Sequence, residues 1–150
     1  MASQSSLFED YAAYHRDRRN LICHEIGIPL IVLAIVALLR LVAIPLWGGN
    51  LAALAIAAVL VYYVAAFGRT QRAAVVIAAI GLVISYYAAA YISWPYAIGV
   101  FVLGWVFQFV GHAYEGKSPA FLTNLLHLLV GPLWVASHLV PRSLSSSSAR

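Results

Sequence analysis

Between Ile26 and Val140 the only charged residues are Arg40, Arg69, Arg72, Glu115 and Lys117. Apolar runs of that length cannot serve as a water-facing surface. Only 9% of the chain is charged and 63% is hydrophobic, with a mean hydropathy of +0.89; a soluble domain carries roughly 25% charged residues. The chain therefore reads as an integral membrane protein, because a hydrocarbon core of about 30 Å is crossed by about 20 apolar residues in a helix. Polar or glycine-rich breaks at Gly48–Asn50, Gly68–Arg72, Ser93–Pro95 and Gly111–Pro119 divide it. The expected spans are Ile26–Trp47, with Gly27 and Pro29 in its opening turn, then Leu51–Phe67, Ala73–Ile92, Tyr96–Val110 and Ala120–Val140. An amphipathic or interfacial helix over Phe8–Glu25 precedes them. The expected fold is all-α, a polytopic membrane helix bundle of about five spans forming one domain over residues 1–142. A Ser-rich tail at 143–150 has the composition of disorder.

The formal charge of +4 suits anionic lipid headgroups, since the arginines are scattered among apolar spans and no nucleic-acid module is visible. Met1–Asp10 is polar and acidic, so no cleavable signal peptide is expected. The lone Cys23 has no cysteine to pair with and reads as a packing residue. Arg16, Arg18, Arg19, Arg69, Arg72 and Lys117 fall in alternate connections, and the opposite loops carry no charge. The positive-inside rule then places the N-terminus in the cytoplasm, with only Arg142 running against it. Arg40, late in the first span, is expected to snorkel to the interface.

That topology brings two polar clusters to one membrane face. The first holds His15, Asn20 and His24. Asn20 and His24 share a helix face, whereas His15 and His24, nine residues apart, lie about half a turn out of phase on a straight helix. They reach one ion only if the helix bends or other helices close the site. Spacing alone favours two interfacial histidines bonded to headgroups or water. The second cluster places Gln108, His112 and Glu115 at i, i+4 and i+7, a polar stripe at the end of an apolar helix. Gln108 is costly in lipid unless it faces partners inside the bundle. Glu115 is either a partner of His112 or half of an ordinary ion pair. His127 lies deep enough in the last span to face the same pocket, and His138 reads as interfacial on the other side. Imidazoles beside a carboxylate suit Fe(II), Zn(II) or Mn(II). The competing reading is a non-enzymatic lipid-binding or carrier protein with a histidine-lined polar site. The aromatics read as helix packing and interface markers.

Three motifs taken together resemble one family. They are Tyr-His-Arg-Asp-Arg-Arg-Asn-x3-His-x2-Gly-Ile-Pro from Tyr14, Gln-Phe-x-Gly-His-x2-Glu-Gly-x2-Pro-Ala from Gln108, and Asn-Leu-x5-Gly-Pro from Asn124. The chain is similar over Tyr11–Val140 to the membrane 2-hydroxy fatty acid dioxygenases of yeast phytosphingosine breakdown and their bacterial relatives. The resemblance implies an Fe(2+)-dependent enzyme of fatty acid α-oxidation that uses O2 to shorten a long-chain 2-hydroxy fatty acid by one carbon. It implies His15, His24 and His112 as metal ligands, joined by His127 in the bacterial branch. Asn20, Gln108 and Glu115 would orient ligands or the substrate head group, and Arg16, Arg18 or Arg19 would attract its carboxylate. A bacterial inner membrane, or the endoplasmic reticulum in a eukaryote, is the implied location. The substrate's tail would lie among membrane lipids and the apolar bundle, and its head at the cytoplasmic face.

Overall fold

Asp17 starts the longest helix. In the computed structural model, which describes residues 4–13, 15–46, 48–119 and 126–141, its backbone is extended and its carboxylate accepts from the Arg19 amide at 2.7 Å. This is N-cap geometry, which satisfies an amide that the first helical turn leaves without a partner. Helix α2 then runs over Arg18–Arg40. A shorter helix, α1, covers Gln4–Ala13. The single helix expected over Phe8–Glu25 is therefore two, and the first span begins at Arg18 rather than Ile26. Pro29 consequently sits inside α2 and not in its opening turn. It interrupts one backbone hydrogen bond on an exposed face of the helix.

Two-residue strands, Ala43–Ile44 and Gly49–Asn50, pair antiparallel and close the turn after α2. Asn50 caps α3 (Leu51–Phe67), its side-chain oxygen accepting from Ala53 N–H at 3.1 Å. Helix α4 covers Arg72–Ala88 and tightens into a 3-10 turn at Ala89–Tyr91. Helix α5 runs over Trp94–Glu115, past the expected end at Val110, and stops only at Gly116, whose φ of +67° suits glycine. His112 and Glu115 thus lie in the helix, within the stretch Gly111–Pro119 expected to break the chain. Helix α6 is described over His127–His138. Three helical segments are long and apolar enough to cross a membrane: Arg18–Arg40, Arg72–Tyr91 and Trp94–Glu115. The 17-residue α3 is apolar but shorter. Trp47, Asn124, Leu125, Arg142, the start of the fifth expected span and the tail at 143–150 lie outside the described residues.

The pair that positions the site is α2 and α5, antiparallel and packed along their lengths. Glycine makes this close approach possible. A Cβ on Gly27 would collide with the Gln108 side chain and lie 2.8 Å from the Gly104 carbonyl oxygen. One on Gly104 would lie 2.6 Å from Ile31, and one on Gly111 would lie 2.5 Å from Asn20 Oδ1. Small residues at such contacts are how helices associate in lipid, where apolar burial alone drives little association. At the end carrying Arg18 and Glu115, α1, α3, α4 and α6 enclose Tyr11, Tyr63, Phe67, Leu133 and Trp134 in a core. The Tyr63 hydroxyl donates to the Leu129 carbonyl at 2.6 Å, tying α3 to α6. At the other end Arg40 donates to the Tyr86 carbonyl at 3.2 Å and lies over its ring.

Candidate metal centre

In a chain this apolar, a buried polar side chain needs a reason. Among the described residues the buried polar side chains are His15, Asn20, His24, Gln108, His112 and His127. Three of them converge: ligand atoms of His15, His24 and His112 lie within 4.8 Å of one another. The rings are equally close, with centroids 4.3 Å apart for His15 and His24 and 4.9 Å for His24 and His112.

The break between α1 and α2 is what permits this. His15 belongs to neither helix, so the half-turn mismatch expected on a straight helix does not apply. Its ring turns back towards His24 and stacks on Tyr11 with centroids 4.2 Å apart. Glu115 holds the bend in place from α5. Its carboxylate accepts from Arg16 N–H at 3.0 and 3.1 Å, from Asp17 N–H at 2.8 Å and from the Asn20 side-chain amide at 3.1 Å. An anion at a helix N-terminus is favoured by the helix dipole as well as by these bonds. Glu115 therefore spends its oxygens bracing the segment that carries His15 and does not point them at the histidines. Gly111, facing Asn20 and His24, lets the two helices come close enough for that brace.

Tautomers follow from the backbone. His15 Nδ1–H donates to the Tyr11 carbonyl at 2.6 Å, and His24 Nδ1–H donates to the Asn20 carbonyl at 3.0 Å. A carbonyl only accepts, so each neutral ring carries its proton on Nδ1 and presents a lone pair on Nε2. The two Nε2 atoms are 3.0 Å apart. Burial pushes the His15 imidazole down to about 4, which keeps that ring neutral near neutral pH. Two lone pairs facing each other at hydrogen-bond distance, with no proton between them, repel unless a cation lies between. Nitrogens bound about 2.1 Å from one ion at right angles would be about 3.0 Å apart. The donor set thus fits a metal ion, and backbone-anchored imidazoles of this kind are pre-oriented ligands.

The other expected residues fall around this triad. His127 is buried but outside the group of three; its ring meets Tyr11 edge-on, with centroids 5.9 Å apart. Gln108 Nε2 is buried and has no hydrogen-bond partner among the described residues. Arg16, Arg18 and Arg19 are exposed just outside, with Arg19 over the Tyr114 ring. His138 is exposed; it bonds to the Trp134 carbonyl at 3.0 Å and its ring meets that of Trp134 edge-on, with centroids 4.2 Å apart. Two residues read from sequence only as packing aromatics turn out to wall the site. Tyr11 stacks on His15, and Trp134 lies 5.0 Å from His15 and 5.3 Å from Tyr11, centroid to centroid. Tyr11 precedes His15 by one helical turn, a spacing that signals contact, but nothing singles out Trp134 in so aromatic a chain. A cavity of about 290 Å3 opens from His24, Gln108, His112 and His127 into apolar surroundings.

No solved structure matches the chain. A yeast relative, the 2-hydroxy-palmitic acid dioxygenase MPO1 of Saccharomyces cerevisiae, is 28% identical over 121 residues, which cover 80% of this chain and 69% of that protein. The family described as 2-hydroxy-palmitic acid dioxygenase Mpo1-like matches at residues 1–71 and 68–143. Together these residues take in the N-terminal segment, the glycine-lined α2–α5 contact and all three converging histidines, and the chain belongs to the Mpo1-like family.

Proposed function

We propose that this chain is an iron(II)-dependent dioxygenase that shortens long-chain 2-hydroxy fatty acids by one carbon, with its active site at the cytoplasmic membrane face. The observation that carries the reading is the convergence of His15, His24 and His112, with two of their lone pairs opposed at 3.0 Å, at the mouth of an apolar cavity. The family membership and the yeast relative's name support the substrate class. The overall conversion consumes one O2 and releases CO2 and water along with the shortened acid. It is a net oxidation, which zinc, having no redox change, does not support; iron suits imidazole donors and O2 chemistry.

When bound, iron would supply the electron transfer that O2 requires and a Lewis acid for the α-hydroxy acid head. His15, His24 and His112 would hold it. Asn20 and Glu115 keep the His15 segment docked on α5. Gln108 offers a buried amide donor to the carboxylate, and His127 lines the opposite wall. The exposed Arg16, Arg18 and Arg19 raise the local concentration of an anionic substrate at the membrane surface.

The test is direct. Protein stripped of metal and reloaded with Fe(II) should convert 2-hydroxyhexadecanoic acid to the acid one carbon shorter under O2, and zinc-loaded protein should not. Iron-loaded protein that binds the acid but yields no shortened product would overturn the reading in favour of a lipid-binding protein or carrier.

A further inference from the structure

We infer that the cavity beside the triad is a one-chain acyl groove that opens sideways to the bilayer and measures substrate length along α2. This deepens the proposed dioxygenase reading and rests on it for the identity of the head group. Its polar lining gathers at one end, where His24, Gln108 and His112 stand. From there α2 contributes Ile28, Ile31 and Ile35. His24 to Ile35 is eleven residues, about 16 Å of helix at 1.5 Å per residue.

An extended alkyl chain advances about 1.25 Å per carbon, from a tetrahedral zigzag of roughly 1.5 Å bonds. The fourteen bonds beyond the hydroxylated carbon of a sixteen-carbon acid therefore reach about 17 Å, ending at the level of Ile35. A ten-carbon acid ends about 10 Å along, well short of it.

Two observations point to a ligand here. Gln108 is 6% exposed, lines the cavity, and its Nε2 has no hydrogen-bond partner among the described residues. A buried amide donor left without an acceptor is costly, and a carboxylate oxygen supplies that acceptor. The second is the missing contact. Helices α5 and α6 both pack on α2 but, among the described residues, hardly touch each other. The gap between them is the cavity, and its rims at Leu128 and Ile35 are 47% and 41% exposed on the lipid side. An amphiphile dissolved in the leaflet can slide its tail in sideways with its head already at the interface, without leaving the membrane.

The groove is tested by binding, kept apart from turnover. Iron-loaded protein without O2 is titrated with saturated 2-hydroxy acids of ten to sixteen carbons, read by displacement of a fluorescent fatty acid. Ile35→Trp should weaken the sixteen-carbon acid at least tenfold and leave the ten-carbon acid within twofold. Ile31→Trp, four residues nearer the head, should lower the length limit by about five further carbons. Gln108→Leu should weaken all lengths by a similar factor. Ile35 lies on an exposed surface, so Ile35→Trp keeps the test alive even if Ile31→Trp fails to assemble. Equal affinities for wild type and Ile35→Trp at every length would overturn the groove, even if the wild type turns substrate over. A length profile that shifts as described, with no product under O2, would keep the groove and overturn the reaction instead.

Discussion

His15 depends on the rest of the site more than any other residue. Its neighbours hold it by three means: the Tyr11 carbonyl fixes its tautomer, the Tyr11 ring stacks on it, and Glu115 braces the backbone that carries it. Replacing His15, His24 or His112 with alanine should each abolish stoichiometric iron, measured by metal analysis of the purified variant. His127→Ala should retain the metal, because that ring lies outside the converging group. Retained iron in any of the first three would show that the triad is not the binding site. Burial also gives His15 a pH signature. Its value in the folded protein, about 4, lies below the ordinary 6.5, so between those limits the undocked segment binds more protons than the docked one. The stabilisation is complete above about pH 6.5 and is lost as pH falls towards 4. In metal-free protein, amide exchange in α1, corrected for its intrinsic rate, should quicken across that window. His15→Gln should flatten the dependence.

At the scale of the element, the decisive feature is the α2–α5 contact and the bend it braces. Glu115→Ala leaves the Arg16 and Asp17 amides without their acceptor and removes the anion from the α2 N-terminus. Iron affinity should fall about 10- to 100-fold, as for other losses of a supporting shell, with His24 and His112 still in place. A matched pair of glycine substitutions separates close packing from helix propensity. Gly27→Ala drives a methyl into Gln108 and the Gly104 carbonyl and should destabilise by about 1–3 kcal/mol while displacing the Gln108 amide. Gly81→Ala meets nothing within 4 Å and should be neutral or stabilising by about 0.5–1 kcal/mol, since alanine outranks glycine inside a helix. Thermal unfolding in detergent reads both.

The sequence made much of this level legible. Polar residues in an apolar chain stand out, so Asn20, His24, Gln108 and His112 could be found by inspection. The bend between α1 and α2 could not. Its cause is a carboxylate 98 residues away that satisfies the Asp17 amide, and local helical composition from Phe8 to Glu25 argues for continuity. The over-long α5 has a similar origin. Gly111 looks like a breaker in sequence, but it lies inside α5, where Asn20 and His24 leave no room for a side chain.

At the scale of the whole molecule, the two ends of the bundle differ in charge. Arg16, Arg18, Arg19, Arg69, Arg72, Glu115 and Lys117 gather at one end. Glu115 joins the α2 start to the α5 finish, and the Phe8 ring lies 6.4 Å from Phe67, where α3 ends. At the other end the charged residue among those described is Arg40, held against Tyr86 and close to the Asn50–Tyr86 bond. By the positive-inside rule, we propose that the arginine-rich end faces the cytoplasm. Under the proposed function this asymmetry would also divide access to the site by chemistry: a hydrated metal ion would reach the histidines from the charged end, whereas an acyl chain would arrive through the apolar gap. Sidedness can be measured with single cysteines in a Cys23→Ala background. Arg69→Cys should react with an impermeant thiol reagent only from the cytoplasmic side of sealed membrane vesicles. Leu46→Cys, at a residue 98% exposed in the opposite turn, should react only from the other side. If both react from the same side, α3 does not cross the bilayer. If the two sides are exchanged, the triad faces away from the cytoplasm, and the iron proposed for it would have to be loaded from outside that compartment.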